Sequence, residues 1–180
     1  MDSTDRDIYK AAIRGDRDAF ELIIRASSRN LFAIAYGVLQ DRAEAEDVVQ
    51  DAFVKAWKSR WRVRDPEKFP AWLATIARHR ARDVARTRRS VPLGQELSDT
   101  PDPANAVGDD GDNVHGQVHA ALAALPETHR IALTLRYFDA LDYDTIQRTL
   151  GLTNGALRGI LGRALQTMRK RMQPALNALE

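Results

Sequence analysis

FPAWLATIARHRARDVARTRR, residues 69–89, decides how the rest of the chain is read. At helical spacing Phe69, Trp72, Leu73, Ile76, Ala77 and Val84 form an apolar stripe suited to packing against other helices. Arg78, Arg82, Arg86 and Arg89 recur every three or four residues on another face, without an acid beside each one. A guanidinium stays charged and grips phosphate or guanine edges through a planar fork, so such a ladder suits a polyanion. A solvated basic face has the same pattern, and the rest of the chain has to decide between them.

Outward from this helix, charge is unevenly placed. The 180 residues are 44% hydrophobic, enough for one ordinary domain or two small ones with packed cores. Net charge is only +2, so a nucleic-acid surface has to come from local placement and not from a global excess. No Lys or Arg falls between Arg89 and Arg130, whereas Glu96, Asp99, Asp102, Asp109, Asp110 and Asp112 all do. The absence of cysteine removes disulfides, thiolate zinc sites and thiol redox sensing. No apolar run approaches the ~20 residues of a membrane span, and the start MDSTDRDIYK lacks signal-peptide features. The expectation is a cytoplasmic, nucleoid-associated protein with no membrane insertion.

Before the opening stretch, residues 5–14 read as a short helix, Asp16 as the cap of a longer one with a possible bend at 27–30, and Asp41 as the cap of a third, with Glu44 as capping-box partner. On that third helix Val49, Phe53, Ala56 and Trp57 face inward, while Asp47, Gln50 and Asp51 share an acidic, amide-bearing outer face. The loop KSRWRVRDPEKF sets Trp61 among the cations Arg60, Arg62, Arg64 and Lys68. An aromatic interleaved with cations suits an unstacked base and its backbone, although a Trp beside a helix end also suits a core, and both readings stand for Trp61.

After the opening stretch, residues 91–113 lose all periodicity and read as an acidic flexible linker. Beyond it Pro126 starts a helix at its first position, Asp142 caps the next, Gly151 turns, and Thr153 caps the last. The whole reads as an all-α protein: two small helical domains, 1–90 and 114–180, joined by an acidic linker, the second a helix-turn-helix domain whose last helix suits a major groove.

In this order, AEDVVQDAFVKAW (44–57), the opening stretch, the acidic linker and residues 124–161 resemble the extracytoplasmic-function group of bacterial RNA polymerase sigma factors over nearly the whole chain. The resemblance implies a promoter-specificity subunit with core RNA polymerase and promoter DNA as partners, through the beta-prime clamp helices and the beta flap. It assigns Asp47, Gln50, Asp51 and Phe53 to the clamp helices, although Phe53 reads as scaffold beneath that face. It places Arg78, His79, Arg82 and Arg86 against the minus-ten duplex. It also gives the loop with Arg60, Trp61, Arg62, Arg64 and Lys68 the capture of a flipped base. Thr153, Asn154, Arg158 and Arg163 fall on the minus-thirty-five reader. An anti-sigma factor or a recruiting protein is a further candidate partner.

Two departures stand out. His79 occupies a position where the family usually has Asn. In the last helix Ile160 and Leu165 replace expected cations and Gly159 and Gly162 replace serines, so each glycine calls for a close approach, and an apolar face offers a partner a place to dock. His115 and His119 lie four apart but lack a third metal ligand at a usual spacing. No phosphate loop, nucleophile elbow or HExxH motif occurs, so catalytic residues, metal and cofactors are all expected to be none. A polymerase-independent helix-turn-helix regulator lacks the strongly basic recognition helix it needs, and a decoy that titrates an anti-sigma factor has no use for an intact Arg ladder. With two cations gone, binding of residues 114–180 to promoter DNA is expected to be weak, with a salt slope lower by about 1 per lost cation. Titration across salt measures this, and tight, sequence-selective binding contradicts it.

Overall fold

Four of the helices begin on a side chain that caps otherwise orphaned backbone N–H groups. The computed structural model describes residues 3–90 and 111–177, with side chains over 4–88 and 116–173. The side chains of Arg89 and His115 and most of the linker therefore lie outside the described residues. Four helices come first, α1 (Ser3–Arg14), α2 (Arg17–Leu39), α3 (Arg42–Ser59) and α4 (Phe69–Ser90). The other four are α5 (Gly111–Ala123), α6 (Glu127–Leu133), α7 (Tyr143–Leu150) and α8 (Asn154–Asn177). All regular structure among the described residues is helical. α5 starts at Gly111, so the last three residues read as linker are helix.

Asp16, Asp41 and Asp142 each accept a backbone N–H three residues on, at 3.0, 2.9 and 2.8 Å; such caps stabilise a helix by about 1 kcal/mol each. The hydrogen bonds from Thr145, backbone first and hydroxyl second, hold the Asp142 carboxyl below its usual range. Only half of the expected capping box forms, because the Glu44 carboxylate turns to Arg88 at 3.4 Å. α2 runs unbroken through the possible bend at 27–30, where Ser28 Oγ donates to the Ile24 carbonyl at 2.5 Å within the helix. Pro126 sits one residue earlier than read, as the cap before α6, with φ −53° and ψ 143°. α6 then widens into a π turn over Thr134–Phe138.

α2, α3 and α4 pack mutually, with α1 laid along α2, around Phe69, Leu73, Ile34 and Val48. α5, α6 and α7 pack on α8 and its surroundings around Ile131, Leu135, Ile146 and Leu157. The two groups meet, α6 against α2 and α7 against α4, and buried apolar side chains run continuously from one to the other. Gly37 makes that seam possible. A Cβ there would stand 2.8 Å from Ile131 Cγ1 and 3.3 Å from Ile131 Cα.

Polar contacts edge the seam. Arg130 donates to the Gly37 carbonyl and, at 3.0 Å, to that of Ala123. Arg29 pairs with Asp139 at 2.7 Å and donates to the Phe138 carbonyl at 2.9 Å. The Tyr36 hydroxyl meets His119 Nε2, so this histidine faces the other helical group.

Gly37→Ala in an isolated helix gains about 1 kcal/mol, but here the added methyl is expected to lower the urea midpoint. In an Ile131→Ala background the same change is expected to cost less, with a coupling of about 0.5–3 kcal/mol. A Gly37→Ala variant more stable than wild type contradicts the packed seam.

Candidate nucleic-acid interface

α4 turns Ala74, Ala77 and Ala81 into the core and leaves His79, Arg82 and Arg86 exposed, with Arg78 half-buried. Small residues on the inner face let α4 lie close to α2 and α3. Two rungs of the ladder meet acids. Arg82 forks onto Glu127 at the start of α6, with Nη2 2.8 Å and Nε 3.1 Å from Oε1. That hydrogen bond, ahead of opposing burial, raises the Arg82 pKa above its ordinary value. Arg86 pairs with Asp83 at 3.0 Å. Both arginines are about half exposed or more, 49% for Arg82 and 80% for Arg86, and surface pairs of this kind contribute only ~0–1 kcal/mol. A phosphate can displace either acid. Arg78 Nε is buried without a hydrogen-bond partner, a donor held ready beside the exposed cations.

The loop after α3 closes through two tight turns, Arg60–Arg62 and Pro66–Lys68, with Val63 buried as its anchor. Arg60 belongs to the scaffold rather than to the exposed surface where it was expected. Its guanidinium lies 3.9 Å from the Trp57 ring centre, and Nη1 donates to the Trp57 carbonyl at 2.5 Å. A cation at a helix C-terminus satisfies orphaned carbonyls, which explains the capture. Trp57 itself packs edge-on to Phe20 at 5.0 Å. Trp61 is 67% exposed, which excludes the core reading, and the Arg62 guanidinium lies 5.3 Å from its ring centre. Arg64 and Lys68 are exposed, Lys68 at 4.0 Å from Asp65.

On α3 the exposed Asp47, Gln50 and Asp51 border a shallow cleft of about 410 Å³ whose other wall is Arg80 and Val84 of α4. Asp51 is not free, being paired with Arg80 at 2.8 Å. Phe53 is buried, edge-on to Phe20 at 6.5 Å, and supports this face from beneath without being part of it.

In the second group, α7, Gly151 at φ 66° and α8 form the helix-turn-helix corner. Thr153 Oγ1 accepts the Ala156 N–H at 3.3 Å. Thr153, Asn154, Arg158 and Arg163 are all exposed, Arg158 with its guanidinium 5.8 Å from the Tyr143 ring centre. Two expectations about α8 are corrected. Ile160 is buried and Leu165 packs against the core, so the apolar face read as a docking surface is already covered by the fold. The glycines do not mark a close approach: Gly162 has open space where a Cβ would go, and Gly159 would meet only the Arg163 side chain.

The arrangement thus gathers cations and one exposed aromatic on α4 and the preceding loop, an acidic face on α3, and a helix-turn-helix at the other end of the chain. Residues 23–91 match the family model for Sigma-70 region 2, and residues 115–168 that for Sigma-70, region 4. The RNA polymerase sigma-H factor of Pseudomonas aeruginosa is 31% identical over 96% of this chain and 95% of its own length. The ECF RNA polymerase sigma-E factor of Escherichia coli K12 is 26% identical over 96% of each. Among solved structures, the sigma factor RpoE of Bartonella quintana, in complex with the anti-sigma factor NepR, superposes with a TM-score of 0.61 at 23% identity, covering 86% of this chain and 96% of that one. The chain belongs to the sigma-70 family of RNA polymerase sigma factors, in its extracytoplasmic-function group.

Proposed function

We infer that this chain is the promoter-specificity subunit that brings core RNA polymerase to a set of promoters and helps to open them. The observation that carries the reading is the order of the two family matches along one chain, with exposed cations and Trp61 on the first and a helix-turn-helix on the second. Residues 1–90 act as the core-binding and minus-ten module and residues 114–180 as the minus-thirty-five module. Bond-making belongs to the polymerase, and the chain works in the cytoplasm, where that enzyme is.

Asp47, Gln50 and Asp51 present carboxylates and an amide to the beta-prime clamp helices, Asp51 exchanging Arg80 for a cation of the partner. Arg78, His79, Arg82 and Arg86 face the minus-ten duplex. Trp61 stacks on a flipped base, at about 1–3 kcal/mol, which offsets the few kcal/mol that unstacking costs. Arg62, Arg64 and Lys68 neutralise the strand beside it. Thr153, Asn154, Arg158 and Arg163 meet the minus-thirty-five element while that module contacts the beta flap.

Geometry adds a condition. Elements centred about 25 base pairs apart lie roughly 85 Å apart at ~3.4 Å per pair. A packed chain of 180 residues is only about 40 Å across. Twenty residues separate Ser90 from Gly111, and a chain of that length reaches at most ~70 Å. The two modules therefore part at the Gly37–Ile131 seam before both elements are read, and Arg82 is released from Glu127 in the same step. An anti-sigma factor is the partner that would hold the chain back, as a solved relative is bound to one.

Multiround transcription with core polymerase, this protein and a genomic fragment library is expected to yield protein-dependent starts that share upstream elements. No new starts despite binding to core contradicts the reading. On such a promoter Trp61→Ala is expected to reduce open complexes roughly five- to a hundredfold while core binding is retained.

A further inference from the structure

The first helix carries a row of cations. Arg6, Lys10 and Arg14 recur at intervals of four on α1, so they stand on one stripe about 6 Å apart along the axis. α1 packs against both tight turns of the loop that bears Trp61. Between them lies a cleft of about 480 Å³, with those three cations on one wall, Arg64 on the other, and Val63 and Pro66 in the lining.

Its electrostatics are lopsided. Asp7 is the one acid in the lining against four cations. Arg6 lies 3.8 Å from Glu67, a loose and exposed pair. Lys10, Arg14 and Arg64 are exposed and carry no ion pair among the described residues, in contrast to Arg80, Arg82, Arg86 and Arg88 on α4, which do. Cations without ion pairs along a mostly polar cleft, with an exposed Trp on the loop that forms one wall, suit a charged backbone whose bases stack nearby.

We propose that this α1 cleft is a binding site for the sugar-phosphate backbone of the displaced single strand, adjoining the base held by the Trp61 loop, with Lys10, Arg14 and Arg64 as its phosphate contacts. This rests on the reading of the chain as a promoter-opening subunit and extends it to a helix outside the stretch that matches the region 2 family model. Once a base has left the stack its strand is free on one side, and cations spaced along α1 hold that strand out and delay reannealing.

The test compares holoenzyme carrying Lys10→Gln with Arg14→Gln against wild type, on one promoter fragment prepared both as a pre-melted bubble and as a closed duplex. Two lost single-strand phosphate contacts lower the salt slope on the bubble by about 1.4, or affinity by roughly twentyfold at ~0.1 M salt. Closed-duplex binding and affinity for core polymerase are expected to stay unchanged, and Lys10→Arg with Arg14→Lys to behave as wild type. Both positions are exposed, and matched thermal melts report whether the variants fold. An unchanged slope on the bubble, or an equal loss on the duplex, overturns the proposal. Loss of core-polymerase affinity instead makes the cleft a protein contact and also overturns it. Wild-type holoenzyme that opens no promoter removes the sigma reading and the proposal together, whereas wild-type opening with an unaffected double variant removes the proposal alone.

Discussion

The seam between the two helical groups rests on one missing side chain. Because residue 37 is glycine, Ile131 of α6 reaches the backbone of α2, and Arg130 comes close enough to donate to the Gly37 carbonyl. The same guanidinium satisfies the Ala123 carbonyl at the end of α5, so a single cation ties α2, α5 and α6 together. Burial lowers the Arg130 pKa from its ordinary value, with Glu127 opposing, yet arginine stays charged throughout the biological range. The half-buried Arg130 thereby crosses the seam to α2 while staying tied to α5 on its own side.

The charged residues sort by task. Arg60 and Arg130, both half-buried, are bound to backbone carbonyls. Arg80, Arg82, Arg86 and Arg88 hold acids at the surface, where each pair contributes little and exchanges readily with phosphate or with another protein. Such pairs mask cationic surface without locking it. In the packed chain Glu127 covers Arg82, so one contact joins the packing of the two helical groups to the exposure of the cationic face of α4. A strong buried pair at the same point would hold the modules together against DNA, and a free arginine would leave packing and reading unrelated.

Much of the fold was legible because helical periodicity and caps are local signals. The apolar stripe of α4, the caps at Asp16, Asp41 and Asp142 and the turn at Gly151 could all be read from neighbours in sequence. What escaped depended on distance along the chain. Glu127 lies 45 residues from Arg82, so nothing local announces their pairing. Arg60 sat among loop cations of identical type, and only the end of α3 diverts it to the Trp57 carbonyl. Ile160 and Leu165 stood where a family pattern places cations and were read as surface, although α8 turns them inward. The stripe of Arg6, Lys10 and Arg14 went unread in the sequence, and its cleft exists only once the Trp61 loop folds back against α1. Gly37 carried no signal, since an interior helical glycine is a cost until the residue it admits is known.

The packed chain is expected to open when it engages polymerase and promoter. With no native cysteine, spin labels can be placed through Leu22→Cys on α2 and Gln166→Cys on α8, both exposed positions. Pulsed dipolar spectroscopy is expected to give one short, narrow distance in the free chain, replaced by a much longer one when core polymerase and promoter DNA are added. The same short distance in the transcribing complex, or a broad distribution in the free chain, contradicts the account.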